Sequence, residues 1–409
     1  MFLLLTATSW ALDSAHISAV GEEITPGFAG SWVRLFPDES NVGAWHFLFG
    51  AGGDYNLLEM SAEFDVQDAN RVRLTDFNTL DDHAISKCPD GSYFHVGSAG
   101  VGTHNDSGYA WRYDAAFETL GHSTISESHG TLRFNDMAMV CSEQGTVAAF
   151  YDISTFSGWF FTFDEDAQET SRQEVLGTPF STEGTTLLED PHTGKLLHVG
   201  TDEFQGSIEV ATLEWDLTVL DNRAVLTLDD APDSRVYWAQ SVQAVGDRFL
   251  VAYMHQTWSE GWKSDWGDLW IAVFDRDWTL LETNQITDDP VPDGSMRPSM
   301  LVEGDKLLLT YDRITGTPGY VSPRIRELTL DLAAFDDPDD TGDTSVPDDT
   351  GPHVTTDDTG TITAPADSGD TDLPPPAAEE GCLGCTATRT PPVAWVWLLP
   401  GLVFARRRQ

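Results

Sequence analysis

Short apolar runs alternate with polar turns along the first 335 residues, and no helical periodicity connects them. The runs are rich in Val, Leu, Phe and Tyr, and most are preceded by turns of Gly, Asp and Pro. This pattern favours β-strands joined by tight turns. Six runs end in an apolar residue followed by Asp, spaced 49 to 59 residues apart: Phe64-Asp65, Tyr113-Asp114, Phe163-Asp164, Trp215-Asp216, Phe274-Asp275 and Leu330-Asp331.

Each copy of this repeat predicts four strands. The apolar-Asp pair ends the third strand, and a very apolar run before it makes the second strand. Second strands are predicted at 45–50, 93–98, 146–151, 196–201, 249–254 and 307–311. Innermost strands are predicted at 32–36, 84–88 and 299–303, and outer strands at 71–75, 224–228 and 281–286. A repeat of roughly 50 residues with four strands is typical of a β-propeller blade.

The last repeat lacks an outer strand, whereas residues 16–24 form a strand that belongs to no repeat. Pairing between the two would close the ring and cover the exposed edges. We therefore predict an all-β fold over residues 12–335: a β-propeller of six blades, each with four antiparallel strands, closed by the N-terminal strand. Five or seven blades follow if the first or last repeat is miscounted.

The formal charge of the chain is −45. A phosphate backbone would be repelled, so no nucleic-acid partner is expected. Residues 336–380 carry 12 Asp, 2 Glu and no Lys or Arg. This segment has too few apolar side chains to order itself, and we predict a disordered Asp/Thr/Pro/Gly stalk. Calcium binding by its carboxylates is the open alternative, and no other cofactor is predicted.

The N-terminal residues 1–11 are largely apolar and end in Ser-Trp-Ala. A small residue on either side of one larger residue is typical of a secretory cleavage site. No Lys or Arg precedes the apolar run. We interpret the segment as a signal peptide whose start is truncated.

The C-terminal residues 381–409 combine a Gly-Cys-Leu-Gly-Cys motif, an apolar run and a terminal Arg cluster. The apolar run, 393–405, is short for a span of ~30 Å of hydrocarbon. This tail resembles the C-terminal sorting signals of bacterial surface proteins, particularly the myxobacterial type. The resemblance implies export, processing or anchoring at Cys382 and Cys385, and a place on the outer envelope or cell surface of a bacterium. A weak transmembrane anchor is the alternative.

The remaining cysteines are Cys88 and Cys141, each near the end of an innermost strand in neighbouring repeats. An exported protein permits a disulfide between them. A bridge requires Cα atoms within about 7 Å, which neighbouring blades can provide. A disulfide and two buried thiols are both open on the sequence alone.

Propeller geometry places the candidate ligand-binding residues at one mouth of the central channel. A polar insertion in the fifth repeat carries Trp258, Trp262 and Trp266, whose indole faces suit sugar rings or cationic groups. Packing of these rings over the channel mouth is the alternative. Four more side chains are expected at the same mouth: His83, Tyr237, Trp238 and Arg297.

Asp82 and Asp136 are expected at this mouth as well, and they form the catalytic pair if the protein is a hydrolase. Two carboxylates about 5 to 10 Å apart can hydrolyse a glycosidic bond. The six repeats with Asp-containing turns between third and fourth strands distantly resemble sialidases, and the channel-face carboxylates resemble those of five-bladed arabinan-cleaving enzymes. The second resemblance implies a catalytic set of Asp82, Asp136 and one further acid. The alternative is that Asp begins innermost strands for hydrogen-bonding reasons alone.

No spacing typical of a metal site, nucleophile elbow or phosphate-binding loop occurs in the propeller repeats. His95 and His198 occupy matching places in two repeats, and we interpret them as copies of one structural position. We predict a monomeric, envelope-anchored binding or adhesion module for an extracellular carbohydrate or protein, with membrane contact only through the tail. An extracellular glycoside hydrolase is the alternative.

Overall fold

The structure is a computed structural model of the 409-residue chain. It describes residues 12–26, 31–37, 45–51, 54–61, 63–74, 80–99, 107–125, 134–152, 157–175, 184–202, 206–228, 234–257, 267–290, 293–315 and 320–336. The predicted signal peptide, the stalk beyond Asp336 and the tail with Cys382 and Cys385 lie outside these ranges.

Within the described ranges, 24 strands form six antiparallel sheets of four strands each. The N-terminal strand is β1 (Ile17–Val20). The first sheet holds β2 (Ser31–Pro37), β3 (Trp45–Ala51), β4 (Asp54–Met60) and β5 (Val66–Arg73). The second holds β6 (Leu80–Lys87), β7 (Tyr93–Ala99), β8 (Ser107–Tyr113) and β9 (Thr119–Thr124). The third holds β10 (Phe134–Ser142), β11 (Gly145–Asp152), β12 (Ser157–Phe163) and β13 (Glu169–Val175).

The remaining three sheets follow the same order. The fourth holds β14 (Thr186–Glu189), β15 (Leu196–Asp202), β16 (Ser207–Leu213) and β17 (Val219–Thr227). The fifth holds β18 (Ser234–Val245), β19 (Arg248–Thr257), β20 (Asp268–Asp275) and β21 (Leu280–Gln285). The sixth holds β22 (Gly294–Glu303), β23 (Lys306–Thr315), β24 (Tyr320–Leu330) and β1. A short 3-10 helix, Leu332–Ala334, follows β24.

The N-terminal strand supplies the outer strand that the last repeat lacks. β1 pairs antiparallel with β24, where Ile17 lies opposite Leu330 and Val20 opposite Leu328. Ile17 and Val20 are fully buried. Burial of these side chains holds the two distant ends of the propeller sequence in one sheet.

The six sheets are arranged around a central channel as in a β-propeller. Neighbouring first strands contact one another in chain order, and β22 of the sixth sheet contacts β2 of the first. All six first strands line a channel cavity of about 510 Å³. Six clusters of buried apolar side chains fill the interfaces between neighbouring sheets, as Leu35 and Ile325 do between the sixth and the first. The predictions of an all-β fold and a propeller arrangement are confirmed.

The two ends of the channel differ in their connections. Because the strands are antiparallel, links from fourth to first strands and from second to third strands lie at one end, which we call the loop end. Links from first to second strands and from third to fourth strands lie at the other, which we call the turn end. First strands begin at the loop end. Within the described residues no helix has the length and hydropathy to cross a membrane.

A five-residue turn joins the third strand to the fourth in five sheets. The backbone N–H of its first residue bonds to the carbonyl of its fifth, and its fourth residue has a positive φ between 59° and 70°. The fourth residues are buried, and they are Phe64, Phe117, Ala167, Leu217 and Trp278. At the first position, Asp114, Asp164 and Asp275 each accept two backbone N–H bonds on Oδ1. These carboxylates stabilise the turn rather than form a site.

Two of the predicted strand ends are out of register with this turn. In the first sheet the turn begins at Ser61, so Phe64 is its positive-φ residue and does not end a strand. In the fourth sheet it begins at Glu214, so Trp215-Asp216 lies inside it. The buried fourth position of the turn takes an apolar side chain, which in the first sheet is Phe64 followed by Asp, so an aromatic-Asp pair can lie at the end of the turn rather than at the end of a strand.

Cys88 and Cys141 are joined in a disulfide. Their Cα atoms are 4.9 Å apart, and the bond links the second sheet to the third at the turn end. Cys88 directly follows β6 and Cys141 lies near the end of β10. The covalent link therefore joins two neighbouring first strands.

Candidate ligand-binding site

Five of the described first strands are irregular at the same place near the loop end. Each shifts its pairing with the second strand within a few residues of its start. The shifts lie between Ser31 and Arg34, Leu80 and His83, Asn135 and Met137, Tyr237 and Ser241, and Met296 and Ser299. Such β-bulges bend a strand and re-aim its side chains, and they are frequent next to active sites.

Four residues predicted from the sequence lie in these bulges, each in a different sheet: Asp82, Asp136, Trp238 and Arg297. Tyr237 directly precedes the bulge that contains Trp238. The side chains of Asp82, Asp136, Tyr237 and Trp238 fall outside the described part of the structure. The backbone register alone brings these positions to one end of the channel.

Arg297 is held in place by a buried acid. Its φ is 55°, which is uncommon for a residue with a side chain. Its Nη1 lies 3.4 Å from Oδ2 of Asp312, whose side chain is 0 % exposed. A buried carboxylate requires a partner of this kind. Arg297 therefore neutralises Asp312, while 20 % of its own side chain stays exposed near the channel mouth.

His83 lies in a packed aromatic cluster between the first and second sheets rather than at the mouth. It is 1 % exposed, and its ring centroid is 4.5 Å from that of Tyr55. His95 and Trp111 complete the cluster, with His95 stacked on Trp111 at 5.1 Å. The bulge before His83 turns this side chain towards the sheet interface, where a ligand has no access to it.

His95 and His198 occupy one repeat position, as their matching sequences predict. Both lie in the third place of a second strand and are almost fully buried. Burial lowers the pKa of each to about 3. Both imidazoles are therefore neutral at physiological pH, which fits a packing role.

The three tryptophans of the predicted ligand platform, Trp258, Trp262 and Trp266, lie outside the described residues. The flanking strands fix where their segment is attached. β19 ends at Thr257 and β20 begins at Asp268, both at the loop end of the fifth sheet.

Two buried carboxylates at the loop end were not predicted from the sequence. Asp152 and Asp202 end the second strands of the third and fourth sheets, and they are 0 % and 5 % exposed. They lie opposite the buried Ser157 and Ser207 at the start of the third strands. An Asp followed by Ser five residues later, at equivalent places in two repeats, is the signal that could have found them.

Asp268 and Asp289 form a further acidic pair at the loop end, between the fifth and sixth sheets. Asp268 Oδ1 accepts the backbone N–H of Asp289 at 2.8 Å. Burial raises the pKa of Asp268, and the charge of Asp289 acts in the same direction. Asp289 itself pairs with Arg313 at 2.9 Å. A carboxyl with a raised pKa next to a second carboxyl group is suited to proton donation.

A groove of about 320 Å³ lies at the turn end between the second and third sheets, beside the disulfide. Arg112 crosses it, with Nη2 2.5 Å from Asp90 and Nη1 donating to the carbonyl of Glu165 at 2.6 Å. These bonds tie turns of neighbouring sheets together. No group of three or more His, Cys, Asp or Glu among the described residues could hold a metal ion.

No protein-family model and no curated protein matches the sequence. Similar solved structures include a thermostable family 43 glycoside hydrolase, with 11 % identity and a TM-score of 0.40. That match covers 61 % of this chain and 89 % of the other.

Two more similar structures belong to the same hydrolase family, and both have a TM-score of 0.40. One is a β-1,3-galactosidase, at 14 % identity over 59 % of this chain and 56 % of the other. The second is a protein of the Bacteroides ovatus xyloglucan locus, at 12 % identity over 61 % of this chain and 52 % of the other. The chain thus spans little more than half the length of these two. Likeness at this level assigns no reaction to the chain. Family 43 hydrolases have five blades, whereas the strands described here form six four-stranded sheets.

Proposed function

We propose that this protein is a ligand-binding β-propeller whose ligand contacts the loop end of the channel. The observation that carries the proposal is the shared bulge position of Asp82, Asp136, Trp238 and Arg297. Short repeated turns occupy the opposite end, whereas the longest link between a second and a third strand, β19 to β20, carries three tryptophans. Binding residues concentrate in loops that a rigid scaffold positions.

A carbohydrate fits the chemistry of this end best. Carboxylates and guanidinium groups hydrogen-bond to sugar hydroxyls, and an indole face packs against the apolar face of a sugar ring. Asp136, Trp238 and Arg297 offer one of each kind at equivalent positions. An extracellular protein is the second class of ligand.

Six blades, rather than the five of the family 43 hydrolases, are part of this proposal. Six four-stranded sheets and six apolar interfaces support that count. Pairing of β1 with β24 supplies the closure that a sixth blade needs. A sixth blade also widens the channel around which the bulges are placed.

The place where the chain leaves the propeller supports a role in adhesion. The backbone N–H of Asp247, in the first turn of the fifth sheet, donates to the carbonyl of Phe335 at 2.9 Å. The polypeptide therefore departs from the turn end. A stalk that starts at residue 336 would begin on the side opposite the proposed ligand, as an envelope-anchored binding module requires.

Glycoside hydrolysis is the second candidate, and the positions of Asp82 and Asp136 favour it. They lie in the bulges of β6 and β10, and these two first strands contact each other. Carboxylates about 5 to 10 Å apart serve as acid and as base or nucleophile in glycosidases.

A screen of the purified full chain against a glycan array, with and without calcium, tests both candidates. A reducing-sugar assay follows on each glycan that binds. Binding without product release is expected for a binding module. Product release that Asp82→Asn or Asp136→Asn abolishes, with binding retained, would instead establish the hydrolase. If the protein binds none of the glycans on the array, the proposal of a carbohydrate ligand is contradicted.

A further inference from the structure

Glu23 lies in a setting built to hold a carboxylate. Four side chains surround it, which we call the arginine-tyrosine cluster: Tyr311, Arg313, Arg324 and Arg326. The Tyr311 hydroxyl donates to Oε2 at 2.6 Å, and Arg313 Nη1 lies 3.1 Å from the same oxygen. Arg324 Nε donates to Oε1 at 2.8 Å. Arg326 Nη2 lies 3.8 Å from Oε2.

Strand register explains why the cluster forms. Tyr311 and Arg313 are two residues apart on β23, and Arg324 and Arg326 are two residues apart on β24. Residues two apart on a strand share a face, and Tyr311 lies directly opposite Arg324. This face of the sixth sheet packs against the fifth, where Tyr311 joins the apolar cluster between them.

The charges around Glu23 favour its ionised form. Burial acts to raise its pKa, but the Tyr311 hydrogen bond and the charges of Arg313 and Arg324 outweigh it and lower the pKa. Asp289 offsets one guanidinium by pairing with Arg313 at 2.9 Å. The cluster is therefore electrostatically matched to an anion rather than to a neutral group.

A groove of about 540 Å³ opens beside the cluster between the fifth and sixth sheets. Arg313 and Arg326 line it together with residues 285–289 and Leu12. The side chains of Glu23 and Arg313 keep 18 % and 21 % of their surface exposed. A carboxylate in solution thus has a path to the guanidinium groups that Glu23 contacts.

We propose that the arginine-tyrosine cluster is a carboxylate-binding site that the chain fills in cis with Glu23. An isolated surface ion pair joins one acid to one base and contributes little. Here one carboxylate meets a phenol and three guanidinium groups on two paired strands, and guanidinium forks recognise carboxylates with defined geometry. Where the Glu23 carboxylate is absent, the site accepts the carboxylate of an acidic ligand that lies in the groove. This site lies beside Asp289 at the loop end, in the groove between the fifth and sixth sheets rather than in the channel, and it does not depend on the ligand proposed there.

Chemical rescue of Glu23→Ala in the full chain tests the proposal. Without the carboxylate the guanidinium groups face one another, so the thermal unfolding midpoint should fall. At pH about 7, acetate at about 100 mM should raise the midpoint of this variant by about 2 °C or more above chloride at equal ionic strength. The wild type and Glu22→Ala, a control at the exposed neighbour, should show no difference between the two salts.

Refolding provides the same test if Glu23→Ala does not fold in chloride: acetate should then restore folded protein. Adding Arg324→Gln to Glu23→Ala should remove the acetate response. Glucuronate distinguishes the sources of the carboxylate, since a larger rise than with acetate indicates an acidic sugar in the groove and an equal rise indicates recognition of the carboxylate alone. A Glu23→Ala chain that responds identically to acetate and chloride, in midpoint and in refolding, would overturn the proposal.

Discussion

The indole of Trp278 stacks on the ring of Phe249, with 4.5 Å between centroids and 8° between planes. Trp278 is the positive-φ residue of the repeated turn in the fifth sheet, and Phe249 lies near the start of the second strand. The second sheet has the same arrangement, with Phe117 stacked on Tyr93 at 4.5 Å. Burial of the ring against its own sheet offsets the roughly 1–2 kcal/mol that a left-handed conformation costs a residue with a side chain.

Substitutions of Trp278 should separate the stabilisation by ring burial from the cost of the left-handed backbone. Trp278→Ala removes the buried ring but keeps the left-handed backbone, so the free energy of unfolding should fall by about 3–5 kcal/mol. Trp278→Gly removes the strain as well and should be more stable than the Ala variant by about 1 kcal/mol. Urea unfolding curves measure both differences. A glycine variant less stable than the alanine variant would show that strain plays no part in the turn.

Acidification should destabilise the fold through His95 and His198. Burial lowers their pKa to about 3, whereas the unfolded chain binds protons at these positions below about pH 6.5. Between those two pH values each histidine should subtract about 1.4 kcal/mol per pH unit from the free energy of unfolding.

His95→Phe should make the decline of stability between about pH 6 and pH 4 less steep, since one titrating group is removed. His122→Phe, at an exposed outer-strand position, is the matched control for the introduced aromatic ring. Chemical denaturation at several pH values supplies the comparison. Equal slopes for the wild type and His95→Phe would mean that His95 titrates normally in the folded state.

Reduction of the Cys88–Cys141 disulfide should lower stability. The bond closes a loop with a sequence separation of 53 residues. Loops of this size stabilise folded proteins by about 2–4 kcal/mol relative to the open chain. The unfolding midpoint of the wild type should therefore fall on addition of a reductant, while that of the double variant Cys88→Ala, Cys141→Ala should not respond. A wild type that is insensitive to reductant would contradict a structural role for the bond.

Loss of the N-terminal strand should open the sixth sheet. Deletion of residues 1–24 removes β1 and Glu23 and leaves β24 as an edge strand, which invites association with another chain. A lower unfolding midpoint and concentration-dependent oligomers on size-exclusion chromatography are expected. Deletion of residues 1–11 is the control and should change neither. Identical behaviour of the two truncations would contradict closure by β1.

Local turn chemistry made the second strands predictable. The structure begins them at Tyr93, Leu196 and Arg248, within one residue of the starts expected from the Gly and Asp turns before them. Glycine and aspartate mark such turns through their own backbone preferences and hydrogen bonds, so no knowledge of distant residues is needed. The apolar-Asp pair failed as a marker of a strand end at Phe64, because the buried fourth position of the turn also takes an aromatic ring.

Local sequence patterns could not predict contacts between residues that are far apart in the chain. Glu23 and Arg313 are 290 residues apart, and no spacing in the sequence links them. The positions of the bulges could not be predicted from the sequence either. A shift of one residue turns side chains to the other face of a strand, and the irregularity between Leu80 and His83 placed His83 in the sheet interface.

The ligand affinities of two tryptophan variants should distinguish the two ends of the channel as the binding site. Trp238→Ala changes the loop end, whereas Trp215→Ala changes a half-buried tryptophan in a repeated turn at the opposite end. Isothermal titration of the full chain with the glycan selected on the array should show a loss of about tenfold or more, about 1.4 kcal/mol, for Trp238→Ala. Trp215→Ala should bind within about twofold of the wild type, a difference well below 1 kcal/mol. Unchanged affinity in Trp238→Ala together with a loss in Trp215→Ala would contradict a ligand site at the loop end.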